Sequence, residues 1–288
     1  MLKTSSFTDK LKTFPQYVIP QHLLSQWIHH VMRWQGGCVT HWAIKQFVQH
    51  YQVDMQAAEL SKPTDYKNFN QFFTRTLRTD ARPIAANHII SPVDGVISQL
   101  GAISQHQLLQ AKGHEFSLTA LLGGSTHLST YFDNGLFCTI YLSPKDYHRI
   151  HSPITGYVRE MTYIPGKLFS VNKRTTQVVP QLFARNERLI CILETAIGKV
   201  AVIFVGALFV GSMETKWAGT ITPPYQGQMQ SWQYLPNELS LQCGEEMGRF
   251  NMGSTVILLL PPNRARWLAQ YEPDSALRMG QALAELAT

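Results

Sequence analysis

From about residue 88 to its end, the chain is cut by proline and glycine into short β-prone segments, and this punctuation limits its fold more than any other feature. The apolar run 256–260 lies between Gly253-Ser254-Thr255 and Pro261-Pro262. It is long enough for one buried strand and too short for a buried helix. Comparable segments span 88–91, 96–100, 136–142, 157–163, 189–195, 199–204, 239–243 and 255–260, with Pro92, Asp94-Gly95, Ser143-Pro144 and Pro165-Gly166 between them. An antiparallel β body is expected. A closing helix is expected to open at Asp274 or Ser275 and to carry Leu277, Leu283 and Leu286.

The front of the chain has a different period. After Pro20, the residues Leu23, Leu24, Trp27, Ile28 and Val31 recur at helical spacing, with His22, Gln26, His29, His30 and Arg33 opposite them. Beyond Gly36-Gly37 a second helix begins near Thr40, with Ile44, Phe47, Val48 and Tyr51 on one stripe and Lys45, Gln49 and His50 on the other. Such stripes ordinarily face a domain interior. Trp27, Trp34 and Trp42 support a second reading, docking on a membrane surface. Charge bears on that choice: residues 1–90 hold ten Lys and Arg against five Asp and Glu, so +5 of the net +6 lies there. A basic balance suits nucleic acid or an anionic membrane, and five of the eleven histidines precede residue 52. No apolar stretch reaches the roughly 20 residues of a bilayer span, so peripheral attachment is expected. Cys38, Cys138, Cys191 and Cys243 lack the spacing of a zinc site or a redox dithiol, and are expected to be reduced.

Three stretches combine residue types that catalysis uses: Ser91-Pro92-Val93-Asp94-Gly95, Tyr147-His148-Arg149-Ile150-His151 and Met252-Gly253-Ser254-Thr255. Together they supply an acid, two histidines and a serine, the inventory of a base that activates a hydroxyl. Each has a plainer reading. Asp94-Gly95 is an ordinary turn pair, and His148-x-x-His151 could face a metal, although no third ligand motif accompanies it. Gly123-Gly124-Ser125-Thr126 repeats the letters around Ser254, but it precedes His127-Leu128-Ser129 rather than an apolar strand, so Ser254 is expected to be the reactive serine. Neither a Gly-x-Ser-x-Gly elbow nor a glycine-rich phosphate loop occurs.

Several blocks, taken in order, resemble the phosphatidylserine decarboxylases. Glu245-Glu246-Met247-Gly248-Arg249-Phe250-Asn251-Met252-Gly253-Ser254-Thr255 is similar to their self-cleavage segment, with Met252 where leucine is commoner. Phe72-Phe73-x-Arg75-x-Leu77-Arg78, Ser91-Pro92-x-Asp94-Gly95, Leu142-Ser143-Pro144-x-Asp146-Tyr147-His148-Arg149-x-His151, Pro165-Gly166-x-Leu168-Phe169, Phe183-Ala184-Arg185-Asn186-Glu187-Arg188 and Val205-Gly206-Ala207 resemble further blocks. The resemblance implies an α+β protein, predominantly an antiparallel β body with an amphipathic helical N-terminal region. It implies a membrane-associating region over 1–68 and a catalytic domain over 69–288. Serinolysis of the Gly253–Ser254 bond would leave a covalent pyruvoyl group derived from Ser254, and chains 1–253 and 254–288 held as a heterodimer or a higher oligomer. By resemblance, His151 takes the serine proton while Asp94 fixes its tautomer; His148 is our candidate for protonating the carbanion left by decarboxylation or handling the substrate carboxylate, the plainer reading being that it supports His151. The implied partners are phosphatidylserine and an anionic membrane surface rather than nucleic acid. The implied place is the cytoplasmic side of the cell membrane, and no metal is implied. A non-catalytic lipid-binding protein and a serine hydrolase using the same residues are the competing readings.

Overall fold

The computed structural model describes residues 7–111, 114–208, 212–225, 227–251 and 253–287. Four helices lead: α1 (Phe7–Thr13), α2 (Pro15–Val18), α3 (Gln21–Arg33) and α4 (Cys38–Tyr51), with a short α5 (Phe69–Phe73) after them. The strands follow as β1 (His88–Ile90), β2 (Gly95–Ala102), β3 (Gln107–Ala111), β4 (His114–Ser117), β5 (Leu136–Leu142), β6 (Arg149–His151), β7 (Gly156–Ile164), β8 (Arg188–Thr195) and β9 (Gly198–Val205). The remainder are β10 (Met213–Thr215), β11 (Gly219–Thr220), β12 (Gln230–Gln233), β13 (Ser240–Leu241), β14 (Glu246–Phe250), β15 (Ser254–Leu260), β16 (Ala265–Trp267), β17 (Ala276–Leu277) and β18 (Ala282–Leu286). This is the α+β class that the sequence leads one to expect.

The largest sheet runs β12-β7-β8-β9-β15-β5-β2-β17, with β13 also paired to β7. Its centre is β15, whose residues are all buried. Ser254 to Leu260 pair antiparallel with Leu142 to Leu136 of β5, and Thr255 to Leu259 pair with Val205 to Ala201 of β9. A strand covered on both edges and both faces has no solvent side to satisfy, which is why 256–260 is continuously apolar rather than alternating. A second sheet, β11-β10-β14-β6, brings β6 against β14, and β14 leads through residues 251–253 into β15. The two sheets therefore meet at the Gly253–Ser254 junction.

The chain's end departs from the expected closing helix. Ala276 and Leu277 pair with Val96 and Gly95, while Ala282–Leu286 forms the middle of a small sheet between β1 and β16. Asp274 and Gly280 take left-handed φ of 72° and 89°, which no helix accommodates. An alanine- and leucine-rich composition favours a helix, but unpaired edges on β1, β2 and β16 claim these residues, and pairing overrides so weak a preference. Segment 239–243 also falls short of expectation, with only Ser240 and Leu241 in a strand.

The two long helices behave differently. In α4, Ile44 is fully buried and packs with Val53, Tyr66 and Phe72, while Phe47 and Val48 lie against the same cluster. In α3 the buried residues are polar, Gln21 and Ser25, and the apolar stripe faces outward. Leu23 is 69% exposed, Trp27 64% and Val31 43%. Gln21 explains the inversion: its Oε1 accepts from Leu168 N at 2.7 Å, and its Nε2 donates to Gln16 O. Gln16 Oε1 in turn accepts from Ser170 N at 2.8 Å. Two glutamines thus tie the helical front to loop 165–172 of the β body, and the apolar side is left facing outward.

Candidate active site

Segment 143–148 forms a turn closed by Asp146 N donating to Ser143 O, with Ser143 N and Oγ both donating to Asp146 Oδ2 at 2.7 Å. The turn aims Asp146 O at His148 Nδ1, 2.8 Å away. A carbonyl can only accept, so Nδ1 carries the proton and Nε2 of the neutral ring presents a lone pair. His148 is fully buried, its ring lies 4.1 Å from that of Phe73, and burial holds its pKa down to about 3. Its Nε2 is buried without a hydrogen-bond partner among the described residues. A Cβ placed on Gly253 would stand 3.6 Å from that Nε2. The lone pair therefore borders the Gly253–Ser254 bond.

Ser254 opens β15 with no exposed surface, and its Oγ is likewise buried without a partner. Buried hydroxyls normally make at least one hydrogen bond, and the unpaired Ser254 hydroxyl, next in the chain to the Gly253 that His148 Nε2 borders, makes this junction the candidate reactive one. The turn before it is held from several sides. Asn251 N donates to Ser212 O, Asn251 Nδ2 to Ser212 Oγ at 2.7 Å, and Asn70 Nδ2 to Asn251 Oδ1 at 3.0 Å. Residue 252 lies outside the described residues.

His151 ends β6, whereas His148 precedes that strand. Its Nδ1 donates to Gly244 O at 2.8 Å, so its Nε2 accepts from the Tyr147 hydroxyl at 2.9 Å. Burial lowers its pKa, and the Gly244 hydrogen bond and the charges of Glu246 and Asp94 oppose that. Asp94 does not hold the ring. Its Oδ1 accepts from Arg82 Nε at 2.9 Å and from Met279 N at 2.8 Å, and its Oδ2 from Arg82 Nη2 at 2.5 Å. The expectation that Asp94 fixes the His151 tautomer is therefore corrected: the Gly244 carbonyl does so. Segment 91–94 still lies alongside β6, since His151 N donates to Pro92 O at 2.9 Å.

The decoy serine has a structural role. Ser125 Oγ accepts from Leu128 N at 3.3 Å and caps helix 126–132. It follows two glycines in left-handed conformation, Gly123 and Gly124.

A family model described as phosphatidylserine decarboxylase matches residues 69–285, and another, described as PSD, matches 11–52. The chain is 49% identical over 284 residues to a phosphatidylserine decarboxylase proenzyme of Shewanella sp. (strain MR-7), covering 96% of this chain and 97% of that protein. The proteins of that name from Nitrosococcus oceani and Pseudoalteromonas translucida are 49% and 50% identical, with 97% and 96% of this chain covered and 92% and 98% of theirs. The chain belongs to the phosphatidylserine decarboxylase family. It is accordingly a decarboxylase, a carboxy-lyase made as a proenzyme.

Phosphatidylserine decarboxylase membership gives the geometry its meaning. Of the residues singled out from sequence, the fold brings His148 to the Gly253–Ser254 junction, sets the His151 ring against the Tyr147 hydroxyl, and ties Asp94 to Arg82. Tyr147, Phe73, Arg82 and Gly244 lie within quoted blocks or beside them, yet nothing in their spacing assigns their contacts. Three of those contacts run between segments more than ten residues apart.

Proposed function

We propose that this decarboxylase acts on phosphatidylserine, giving phosphatidylethanolamine and carbon dioxide, through a pyruvoyl group that it makes by breaking its own Gly253–Ser254 bond. The observation that carries this reading is two buried groups without partners at one junction, the Ser254 Oγ and a His148 Nε2 that would stand 3.6 Å from a Cβ on Gly253. Ser254 Oγ attacks the Gly253 carbonyl carbon, and its proton passes to a histidine. The amide becomes an ester, elimination across Cα and Cβ frees the new carboxyl end, and hydrolysis releases ammonia and leaves a keto group at residue 254. The site fits that product, because Ser254 loses no hydrogen bond when its hydroxyl goes. A pyruvoyl group held at residue 254 would supply a carbonyl for the substrate amine and a sink for the electrons freed as carbon dioxide leaves.

The protein's own groups handle protons. In the first division of labour, His151 takes the serine proton, relayed by the Tyr147 hydroxyl on its Nε2, and Asp94 favours the protonated ring through space. His148 then accepts the proton shed by the substrate amine and returns it to carbon after carbon dioxide departs. The nearness of His148 Nε2 to Gly253 supports a second division, with His148 as the cleavage base. Mass spectrometry of purified variants decides between them. Wild type should give pieces 1–253 and 254–288, and Ser254→Ala one species of 32.6 kDa. His148→Asn that cleaves but does not decarboxylate supports the first division; His148→Asn that stays whole supports the second. An uncleaved wild type inert to carbonyl reagents would defeat the whole proposal.

The outward apolar stripe of α3, with Phe14, Trp34 and Trp42 also exposed, supports peripheral attachment to a membrane; that the membrane is anionic and is the cell membrane, met from its cytoplasmic side, is our reading. Among the described residues no helix is long and apolar enough to cross a bilayer. The division at 68/69 is likewise our reading, with 1–68 as the attaching region.

A further inference from the structure

A small cleft of about 120 Å³ lies where α5 meets the second sheet, lined by Arg75, Arg149 and Arg249 together with Tyr66, Thr74 and Gln71. Arg149 and Arg249 are directly opposite on β6 and β14, an arrangement in which like charges repel. Each has a glutamate: Arg149 Nη1 lies 2.8 Å from Glu246 Oε2, and Arg249 Nη2 lies 2.5 Å from Glu214 Oε1. Arg75 has none. It is 5% exposed, donates from Nη2 to Lys145 O at 3.0 Å, lies over the Phe72 ring, and has no carboxylate within ion-pair distance among the described residues. Two of the three guanidinium groups are paired directly with glutamates while Arg75 feels only the more distant charges of Asp94 and Asp146, and the Nε donors of Arg75 and Arg249 are both buried without a partner.

A buried cation without a counter-ion is costly, and donors left idle add to the cost. Planar guanidinium forks converging on a small cavity suit a tetrahedral oxyanion, which accepts several of their hydrogen bonds at once. We propose that this cleft binds the phosphate of an anionic phospholipid headgroup. The lipid source follows from position. Arg33, at the end of α3, lies within electrostatic reach of Arg249 and Glu214, and Trp34 beside it is 59% exposed on the apolar face. Two residues before Arg75, the Phe73 ring lies 4.1 Å from that of His148, so the residues of the cleft adjoin those of the reactive junction. Only the source of the phosphate rests on the membrane reading; phosphate recognition itself does not.

The test is calorimetric titration of the full chain in solution with dihexanoyl phosphatidylglycerol below its micellar concentration, with dihexanoylglycerol and with inorganic phosphate. The phosphatidylglycerol should bind and the phosphate-free diacylglycerol should not. Arg75→Gln should weaken the binding by about tenfold or more. Glu214→Gln with Arg249→Gln, which removes an ion pair with no change of net charge, should weaken it in the same direction. Unchanged affinity in a folded Arg75→Gln overturns the proposal; if that variant fails to fold, unchanged affinity in the double variant does so. Inorganic phosphate binding as tightly as the lipid overturns the lipid assignment. A wild type that binds the short-chain lipid yet does not float with anionic vesicles upholds the cleft and defeats the membrane reading. Chain cleavage, followed in the same samples, reports separately on the decarboxylase reading.

Discussion

His148 and His151 stand three residues apart in the same neutral tautomer, each donating from Nδ1 to a backbone carbonyl. What separates them is the other nitrogen, idle in His148 and occupied by Tyr147 in His151. The sequence shows both residues through a motif. It does not show which carbonyls lie over their rings, because those come from a turn closed by Asp146 and from Gly244, 93 residues away. The pairing of Asp94 with Arg82 escapes it for the same reason. Burial has a consequence for stability. His148 titrates near 3 in the fold and near 6.5 when unfolded, so below about pH 6.5 the unfolded chain binds more protons and the fold loses stability as pH falls. Burial depresses His29, to about 4, and His151 in the same direction. Urea unfolding between about pH 7 and pH 5 should therefore show stability falling with pH, and His148→Asn should reduce that slope, by at most about 1.4 kcal/mol per pH unit. An unchanged slope would mean that His148 is hydrated and titrates normally.

The element that matters most is β15. The sequence marks it by an apolar run bounded by Ser254 and Pro261-Pro262, and it forms within one residue of the expected start. It could not be placed at the centre of the largest sheet from the run alone, since that depends on which strands pair across distant stretches. The C-terminal leucines illustrate the difficulty, because their helix-like composition yields to vacant edges on β1, β2 and β16. Central placement decides the fate of the two pieces once the chain is cut. Residues 254–288 contribute β15 between β5 and β9, β17 on β2, and β18 between β1 and β16, so the short piece is woven into two sheets. The two pieces should co-elute in native chromatography and part only in denaturant. Leu258→Ala, at a fully buried position, should cost roughly 2–5 kcal/mol of stability in urea unfolding of the uncleaved Ser254→Ala chain. A cost near zero would mean that β15 is not packed as described.

At the scale of the molecule, the helical front is attached by polar residues and presents apolar ones. Its amphipathicity is legible in the sequence, but the face that is buried is not. Periodicity gives a stripe without saying what lies against it, and for α4 the stripe packs inward while for α3 it does not. The choice in α3 follows from the hydrogen bonds of Gln21 to Leu168 and Gln16 to Ser170, contacts some 150 residues apart. Eleven large apolar side chains between Leu11 and Tyr51 are left exposed, against seven in the whole of the described remainder. Their number separates insertion from charge attraction as the source of membrane affinity. Trp27→Glu with Trp42→Glu removes two exposed indoles, and should abolish flotation with anionic vesicles at any salt concentration while leaving chain cleavage intact. Lys45→Glu alters charge alone, so it should weaken flotation by about 1 kcal/mol per basic residue lost, and only at low salt. Arg33 is a poorer probe, because it is half-buried beside Glu214 and Arg249 and reversing it would disturb that cluster. If the tryptophan variant floats as well as wild type, the exposed face is not what holds the protein on the bilayer.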